Sequence, residues 1–483
     1  MGNTKQNVFS NIIWRFAERC GAQIVAFVVS IVLARILAPE AYGTIALITV
    51  FTNILQVFVD SGLGNALIQK KNADDLDFST VFYTNLISCG ILYLLVFLFA
   101  PVIAKFYNDS SLTAIIRVLS LTIVISGVKN VQQAYVSKKL IFKKFFFATL
   151  AGTIGAAIIG IYMALKGFGV WALVAQQLFN LSIDTIILWI TVKWRPKLQF
   201  SFKRLKGLFS YGWKLLVSSL IDTTYENVRQ LIIGKLYSSS DLAYYNRGKQ
   251  FPNIIVTNIN TSIDSVLLPT MSNEQDDKMR VRDMTRRAIK TSIYIMAPLM
   301  MGLAFTANKV VKILLTDKWM DCVPYLCVFC ITYMFYPIHT ANLNAIKAMG
   351  RSDLFLKMEI LKKIIGIILL LITMKISPMA MALSLLVSGL ISQIINSWPN
   401  KKLLGYSYIE QVKDIMPSIL LAIFMGVIVY LVGLVNLPTI VSFIIQVIVG
   451  GIVYIAGSKI FKIDSFEYLF DLIKKIRKKK VNE

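Results

Sequence analysis

The sequence predicts an all-α polytopic membrane protein of about fourteen transmembrane helices, built as two pseudo-symmetric six-helix lobes followed by two further helices. Three observations carry that expectation. Apolar stretches of roughly 20 residues, the length a helix needs to cross a bilayer, succeed one another through a 483-residue chain that is 56% hydrophobic, with a mean hydropathy of +0.65. The loops between them are alternately rich and poor in Lys and Arg, as the positive-inside rule requires of a multi-pass protein. The first hairpin also returns, weakly but without a gap, 200 residues further on.

Taken in order, spans are expected near 10–36, 42–68, 80–104, 112–136, 144–165, 169–192, 208–236, 242–269, 288–315, 322–346, 354–374, 377–397, 414–434 and 438–460. The first two are joined by LAPEAYG (Leu37–Gly43). In the repeat, Arg35 falls opposite Lys235, and Phe51, Asn53, Ile54 and Leu67 recur as Phe251, Asn253, Ile254 and Leu267. A second echo relates Asn130–Lys144 to Ala341–Lys357, the fourth spans of the two lobes. The basic loops are Lys70–Lys71, Lys138–Lys144, Lys193–Lys206, Lys278–Arg287, Lys347–Lys357 and Lys401–Lys402, with KKIRKKK (Lys474–Lys480) in the tail. Both termini are therefore expected in the cytoplasm. The implied organisation is an N-lobe over 1–192, a basic cytoplasmic linker over 193–207, and a C-lobe over 208–397. The last two helices follow over 398–460, then a basic cytoplasmic tail over 461–483. Lys197–Phe209 in the linker is basic and mildly amphipathic, suited to rest on headgroups.

Charges inside such spans are expensive and mark function by default. In the seventh span Lys214, Ser218, Asp222, Glu226 and Gln230 recur every four residues, which puts them on one helix face, with Arg229 beside the last. That face should line a wet cavity. A plainer reading pairs Glu226 with Arg229 at i,i+3 to lock helices together. The eighth span repeats the pattern with Asn246, Gln250, Asn253, Thr257, Thr261 and Asp264, while Arg247 and Lys249 face the cavity or snorkel to the interface. In the first lobe Arg15, Glu18, Arg19 and Gln23 mark the first span. Thr49, Asn53, Gln56 and Asp60 stripe the second, Gln177, Asn180 and Asp184 the sixth, and Lys129 ends the fourth. His339, the single histidine, is either a proton relay or a hydrogen-bonded helix residue beside Pro337. Gly62, Gly64, Pro252 and Pro337 mark places where helices bend.

Other classes are disfavoured. The net charge of +25 comes without zinc-finger spacing or an aromatic RNA-binding signature, so it reads as a topology signal and nucleic acid is not an expected partner. Cys327 and Cys330 form a CxxC with neither a βαβ context nor a second ligand pair. They read as buried small residues, and no metal or cofactor is expected. The first apolar stretch is too long and too charged for a removable signal peptide. No GxSxG, HExxH or Walker loop is present, so catalytic residues are not assigned and the protein is not expected to be an enzyme.

LAPEAYG after the first span, Arg35, the repeat near Lys235–Tyr245 and two extra C-terminal spans together make the chain resemble the Wzx-type polysaccharide flippases. These belong to the multidrug/oligosaccharidyl-lipid/polysaccharide (MOP) superfamily, and the resemblance is to their colanic-acid and teichuronic-acid exporter branch. It implies the MOP flippase fold, an inverted V of two lobes around a cavity, in a bacterial cytoplasmic membrane. It also implies a monomer that turns an undecaprenyl-diphosphate-linked oligosaccharide from the inner to the outer leaflet by alternating access. Membrane lipids and the polysaccharide polymerase machinery are the other implied partners. The cationic cavity of such relatives maps by position to Arg15, Arg19, Arg247 and Lys249, with Arg229 added from the seventh span. The acidic pair Asp222 and Glu226 departs from a purely cationic cavity.

The residue chemistry agrees with that cargo. A diphosphate needs the forked donors of Arg. Sugars need amides and hydroxyls, which Asn53, Gln56, Gln177, Asn180, Gln250, Asn253 and Thr257 supply. Asp60, Asp222, Glu226, Asp264 and His339 are the candidates for coupling transport to a proton or cation. Two other readings stand beside this one: a multidrug or cation antiporter of the same superfamily, favoured by the acidic groups, and a polysaccharide polymerase or ligase, disfavoured by the short external loops.

Overall fold

A computed structural model of the chain describes residues 21–60, 62–139, 141 and 143–481, and every regular element among them is helical. Helix α1 is described from Gly21 to Ile36. It is followed by α2 (Pro39–Asp60), α3 (Leu63–Gln69), α4 (Asp75–Tyr107), α5 (Leu112–Leu119), α6 (Leu121–Lys139), α7 (Lys143–Leu165), α8 (Val170–Thr191) and α9 (Phe202–Leu236). Then come α10 (Ser239–Asn273), α11 (Lys278–Phe305), α12 (Ala307–Leu314), a 3-10 turn (Asp317–Cys322), α13 (Val323–Met334) and α14 (Tyr336–Ala348). The chain finishes with α15 (Ser352–Thr373), α16 (Pro378–Leu404), α17 (Tyr408–Gly433), α18 (Thr439–Ile460) and α19 (Asp464–Val481).

Among the described residues, ten helical stretches are long and apolar enough to cross a membrane, counting α2–α3, α5–α6 and the run from the 3-10 turn through α14 as one each. The helices outside that ten are α1, α9, α10, α12, α15 and α19. For the three longest the reason is chemical. Asp222, Glu226, Arg229 and Lys235 load α9, Lys357, Glu359, Lys362 and Lys363 load α15, and α10 is rich in amides and hydroxyls. The ten apolar stretches make the chain a multi-pass membrane protein. Their outer faces agree: on α18 Ile440, Ile444, Ile448, Ile452 and Ile455 are each more than half exposed, a stripe stable against lipid and costly against water.

The internal repeat is visible in the backbone. α1 stops at Ile36 and α2 starts at Pro39, while α9 stops at Leu236 and α10 starts at Ser239. The Leu37 amide donates to the Leu33 carbonyl at 2.8 Å, and its counterpart Tyr237 donates to Ile233 at 2.9 Å. The two hairpins meet at Gly43, where a Cβ would lie 1.7 Å from the Ser239 carbonyl oxygen. Only glycine permits that approach. The copies differ further along. The first breaks at Gly62, whose φ of +67° lies in the left-handed region and whose missing Cβ would sit 2.5 Å from the Gly212 carbonyl oxygen. The second runs unbroken through Pro252 and Pro269.

By contacts the chain divides after Ala243 into two compact units. α9 and the first turn of α10 thus go with the first unit, whereas the sequence places the lobe boundary at 193–207. α9 packs on α2, α3 and α4. The linker is anchored there too. Trp194, 7% exposed, packs on Phe78 and Tyr135, and its carbonyl accepts from Gln132 at 3.1 Å. The backbone amides of Lys197 and Ser201 donate to Ser79 and Thr80 at the start of α4. Asp74 and Asp77 form a capping box there, and Lys70 (2.5 Å) and Arg204 (3.2 Å) neutralise the fully buried Asp77. Leu198 and Phe202 remain exposed and available to headgroups.

In the second unit a buried amide cluster ties α14, α16 and α17. Asn342 and Gln411 exchange hydrogen bonds at 2.9 and 3.0 Å, Asn400 donates to the Asn342 side chain at 2.7 Å, and Ser397 donates to Gln411 at 3.0 Å. Arg286 clamps Asp414 through two 2.7 Å bonds. The tail expected over 461–483 is helical from Asp464, whose carboxylate accepts from Lys290 on α11.

Two outcomes follow. Gln411→Leu leaves Asn342 short of a donor and an acceptor in an apolar interior, and should cost about 1–3 kcal/mol, read as a lower unfolding temperature of the intact protein in detergent. The hydrogen bond and positive charge of Lys290 hold the Asp464 carboxyl below its ordinary value of 3.8. Its contribution is therefore present above the ordinary carboxylate range and lost as pH falls through that depressed value. Acidification into that range should free α19 and speed its cleavage by an acid-active protease, and Asp464→Asn should show the fast cleavage already at the upper end of the protease's range.

Candidate functional site

Arg15 and Arg19 lie outside the described residues. Among the others, the sequence-predicted groups fall into three sets: pairs that satisfy one another, cations enclosed by aromatic rings, and open polar faces.

In the first unit the polar stripe of α2 meets α6. Asp60 accepts from Gln56 at 3.4 Å and from Asn130 at 3.0 Å, while Asn53 is exposed. One residue before Asn130, Lys129 forms an ion pair with Asp184 of α8, their side chains 13% and 10% exposed. The sequence names both residues but not their pairing, which joins positions 55 residues apart. Gln177 and Asn180 on α8 are half-buried. An ion pair so enclosed adds little net stability, because desolvation offsets attraction, yet removing one member leaves a bare buried charge.

On α9, Lys214, Ser218, Asp222 and Glu226 are all exposed. The plain reading of this face fails: among the described residues Glu226 and Arg229 form no ion pair, since Glu226 is exposed while Arg229 is 3% exposed and lies 5.9 Å from the Tyr225 ring centroid. Gln230 donates to Asn227 at 3.1 Å.

In the second unit Arg247 neither snorkels nor stands open. It is 5% exposed, donates to Gln250 at 2.6 Å, and lies 5.2 Å from the ring centroid of the fully buried Trp319. A guanidinium stacks well on an indole face. Lys249 is half-buried. His339 shares a 3.1 Å hydrogen bond with Asn396, which suits a packed helix histidine beside Pro337.

Beyond these groups α10, α13 and α14 line an open cavity of about 380 Å³. It collects Asn253, Thr257 and Asp264 from the predicted stripe and adds Asn260, Tyr336 and Asn344. Asn344 donates to Asp264 at 2.9 Å. Sequence reasoning reaches Asn344 only as part of the repeat echo, although an amide amid Ala and Ile in an apolar helix was the available signal. Among the described residues no cluster of His, Cys, Asp or Glu suits a metal ion. Cys327 donates weakly to the Ala304 carbonyl at 3.5 Å, and Cys330 is buried.

Comparison with known proteins adds family context to this geometry. Residues 32–324 match the profile of the polysaccharide biosynthesis protein family. The chain is 26% identical over 308 residues to the teichuronic acid biosynthesis protein TuaB of Bacillus subtilis, covering 63% of each chain. It is 24% identical over 321 residues to the succinoglycan biosynthesis transport protein ExoT of Rhizobium meliloti, covering 66% of this chain and 65% of ExoT. Both matches span slightly less than two thirds of the relative's length. Identity to the lipopolysaccharide biosynthesis protein WzxC of Escherichia coli is 23% over 415 residues, 84% of this chain and 83% of WzxC. Among solved structures, the lipid II flippase MurJ in an inward closed conformation superposes with a TM-score of 0.78 at 16% identity, covering 94% of this chain and 99% of MurJ. An inward-facing multidrug transporter of the MATE family, in the MOP superfamily, gives 0.63 at 14% identity over 79% of this chain and 94% of that one. These likenesses establish the fold.

The buried pair sets a stability test. Asp184→Asn should destabilise the protein by about 3–5 kcal/mol, whereas Asp184→Leu combined with Lys129→Met should recover most of that loss, both followed by thermal unfolding in detergent.

Proposed function

The chain belongs to the polysaccharide biosynthesis protein family, and from that membership we propose that it is a flippase for lipid-linked oligosaccharides in the bacterial cytoplasmic membrane. The observations that carry the reading are two open polar faces, one on α9 in the first unit and one on α10 in the second. Lys214, Ser218, Asp222 and Glu226, then Asn253, Thr257, Thr261 and Asp264, are exposed on helices of a chain with ten apolar spans. Lipid does not tolerate such faces, so they serve a wet, polar cargo. An undecaprenyl-diphosphate-linked repeat unit fits: its sugars use the amides and hydroxyls, its diphosphate uses cations, and its tail stays in the bilayer.

The candidates for the diphosphate are Arg15, Arg19, Arg229, Arg247 and Lys249. Arg229 and Arg247 are the enclosed members of that set, so their charge acts over a short distance through a low-dielectric surround, where it is screened least. Transport by alternating access follows from differential affinity for the cargo in two states. Asp60, Asp222, Glu226, Asp264 and His339 are the groups through which a proton or cation would bias that cycle. The Lys and Arg loops support cytoplasmic termini, and the reading has the protein act as a monomer beside the polymerase machinery. One observation favours a second reading. The exposed Asp222 and Glu226 would also suit a cationic drug, as in an antiporter of the same superfamily.

Depletion in the native host is the test. The undecaprenyl-linked repeat unit should accumulate on the cytoplasmic side while surface polysaccharide falls. Arg247→Ala, present at normal level in the membrane, should restore less than a tenth of export, roughly the loss of one charge-assisted contact. Normal surface polysaccharide without accumulation would defeat this reading, and efflux of cationic drugs would then be measured.

A further inference from the structure

The cavity of the second unit has an unusual balance of hydrogen-bonding groups. Asn344, 1% exposed, spends its amide N–H on Asp264 at 2.9 Å, and its carbonyl oxygen has no hydrogen-bond partner. The carbonyl oxygen of Asn260 on the same wall is likewise without a partner. Thr261 donates its hydroxyl proton to the Thr257 carbonyl at 2.7 Å, so its oxygen is left as an acceptor. With the Asp264 carboxylate, this wall leaves its unmet hydrogen-bonding capacity in buried acceptors. Buried acceptors without partners cost free energy, and they are recovered by a ligand that donates.

Two tyrosines, Tyr333 and Tyr336, add an aromatic side to the lining. Tyr336 is 45% exposed, and its ring is held edge-on to Tyr333 at 5.3 Å and 82°. The one ammonium on the rim, Lys347, lies 4.6 Å from the Phe355 ring centroid. A volume of about 380 Å³ lies near the lower end of the roughly 300–1,000 Å³ typical of small-molecule sites.

We propose that this cavity is a subsite for a sugar ring of the cargo, a neutral, hydroxyl-rich pyranose, and that it does not hold the diphosphate. The assignment rests on the flippase reading. A diphosphate is acceptor-only and anionic, so it cannot satisfy the open Asn260 and Asn344 oxygens, and the Asp264 carboxylate repels it. A pyranose carries several O–H donors around its edge and an apolar C–H face, and these match the acceptor wall and a tyrosine ring. Recognition is thereby divided: the cavity reads the sugar, and the cations bind the part common to every such lipid.

The test uses the full-length protein in nanodiscs and two probes, the lipid-linked repeat unit extracted from the host and undecaprenyl diphosphate bearing no sugar. Asn260→Leu and Tyr336→Ala should each weaken binding of the glycolipid about tenfold, the order of one lost hydrogen bond or ring contact. Tyr336→Phe should retain it, and the sugar-free lipid should bind all variants alike. Equal loss for both lipids, or no loss for either, overturns the subsite. A response of Asp264→Asn to sodium alone, with Tyr336→Ala silent, identifies an ion site and also overturns it. If the wild-type protein binds neither lipid, the flippase reading fails with it.

Discussion

A polar group inside a membrane protein must find a partner, and most of this structure can be understood as ways of meeting that demand. Backbone groups are satisfied within helices, as the bilayer requires. Side chains are satisfied in three further ways. Lys129 and Asp184 neutralise each other between α6 and α8. Asn342, Gln411, Asn400 and Ser397 close a buried amide cluster that fixes α17 to α14 and α16. Arg247 is held between Gln250 and the Trp319 ring. Among the described residues, buried side-chain atoms still without a partner occur in both units, and Asn260 and Asn344 place two of them at the cavity of α10 and α14. There, what the fold leaves unsatisfied is offered to a ligand.

Much of this was legible in the sequence because it depends on local pattern. The apolar runs give the helices, and the hairpin repeat survives as identical helix ends 200 positions apart. The four-residue spacing along α9 puts Lys214, Ser218, Asp222 and Glu226 on one open face. What escaped depends on distance. Whether Arg247 snorkels or is enclosed is decided by Trp319, far along the chain. Whether Lys129 is free is decided by Asp184. Whether Glu226 pairs with Arg229 is decided by which side of α9 meets its neighbours, and the helix turns Arg229 inward. α19 is a different omission: Phe466, Leu469, Phe470 and Ile473 have helical spacing, and the density of Lys after them obscured it.

The repeat also explains why its copies are not equivalent. Gly43 brings the two hairpins into backbone contact, so neither can change there without the other. Beyond that contact the copies are free to differ, and they do. The first breaks at Gly62, where the Gly212 backbone crosses closely; just before that break Asp60 accepts from Asn130 of α6, whose neighbour Lys129 pairs with Asp184 of α8. The second continues through Asn273 without a break, which keeps Asn260, Thr261 and Asp264 in line along one helix.

This asymmetry bears on mechanism. In the first unit, Asp60 accepts two amide donors and Asp184 pairs with Lys129, while Asp222 and Glu226 of α9 stay exposed. In the second unit, the amide oxygens of Asn260 and Asn344 at the cavity remain without partners. A donor group of a cargo entering that cavity completes an unfinished set, which is favourable outright. On the flippase reading, selectivity among sugars is therefore expected to reside in α10 and α14.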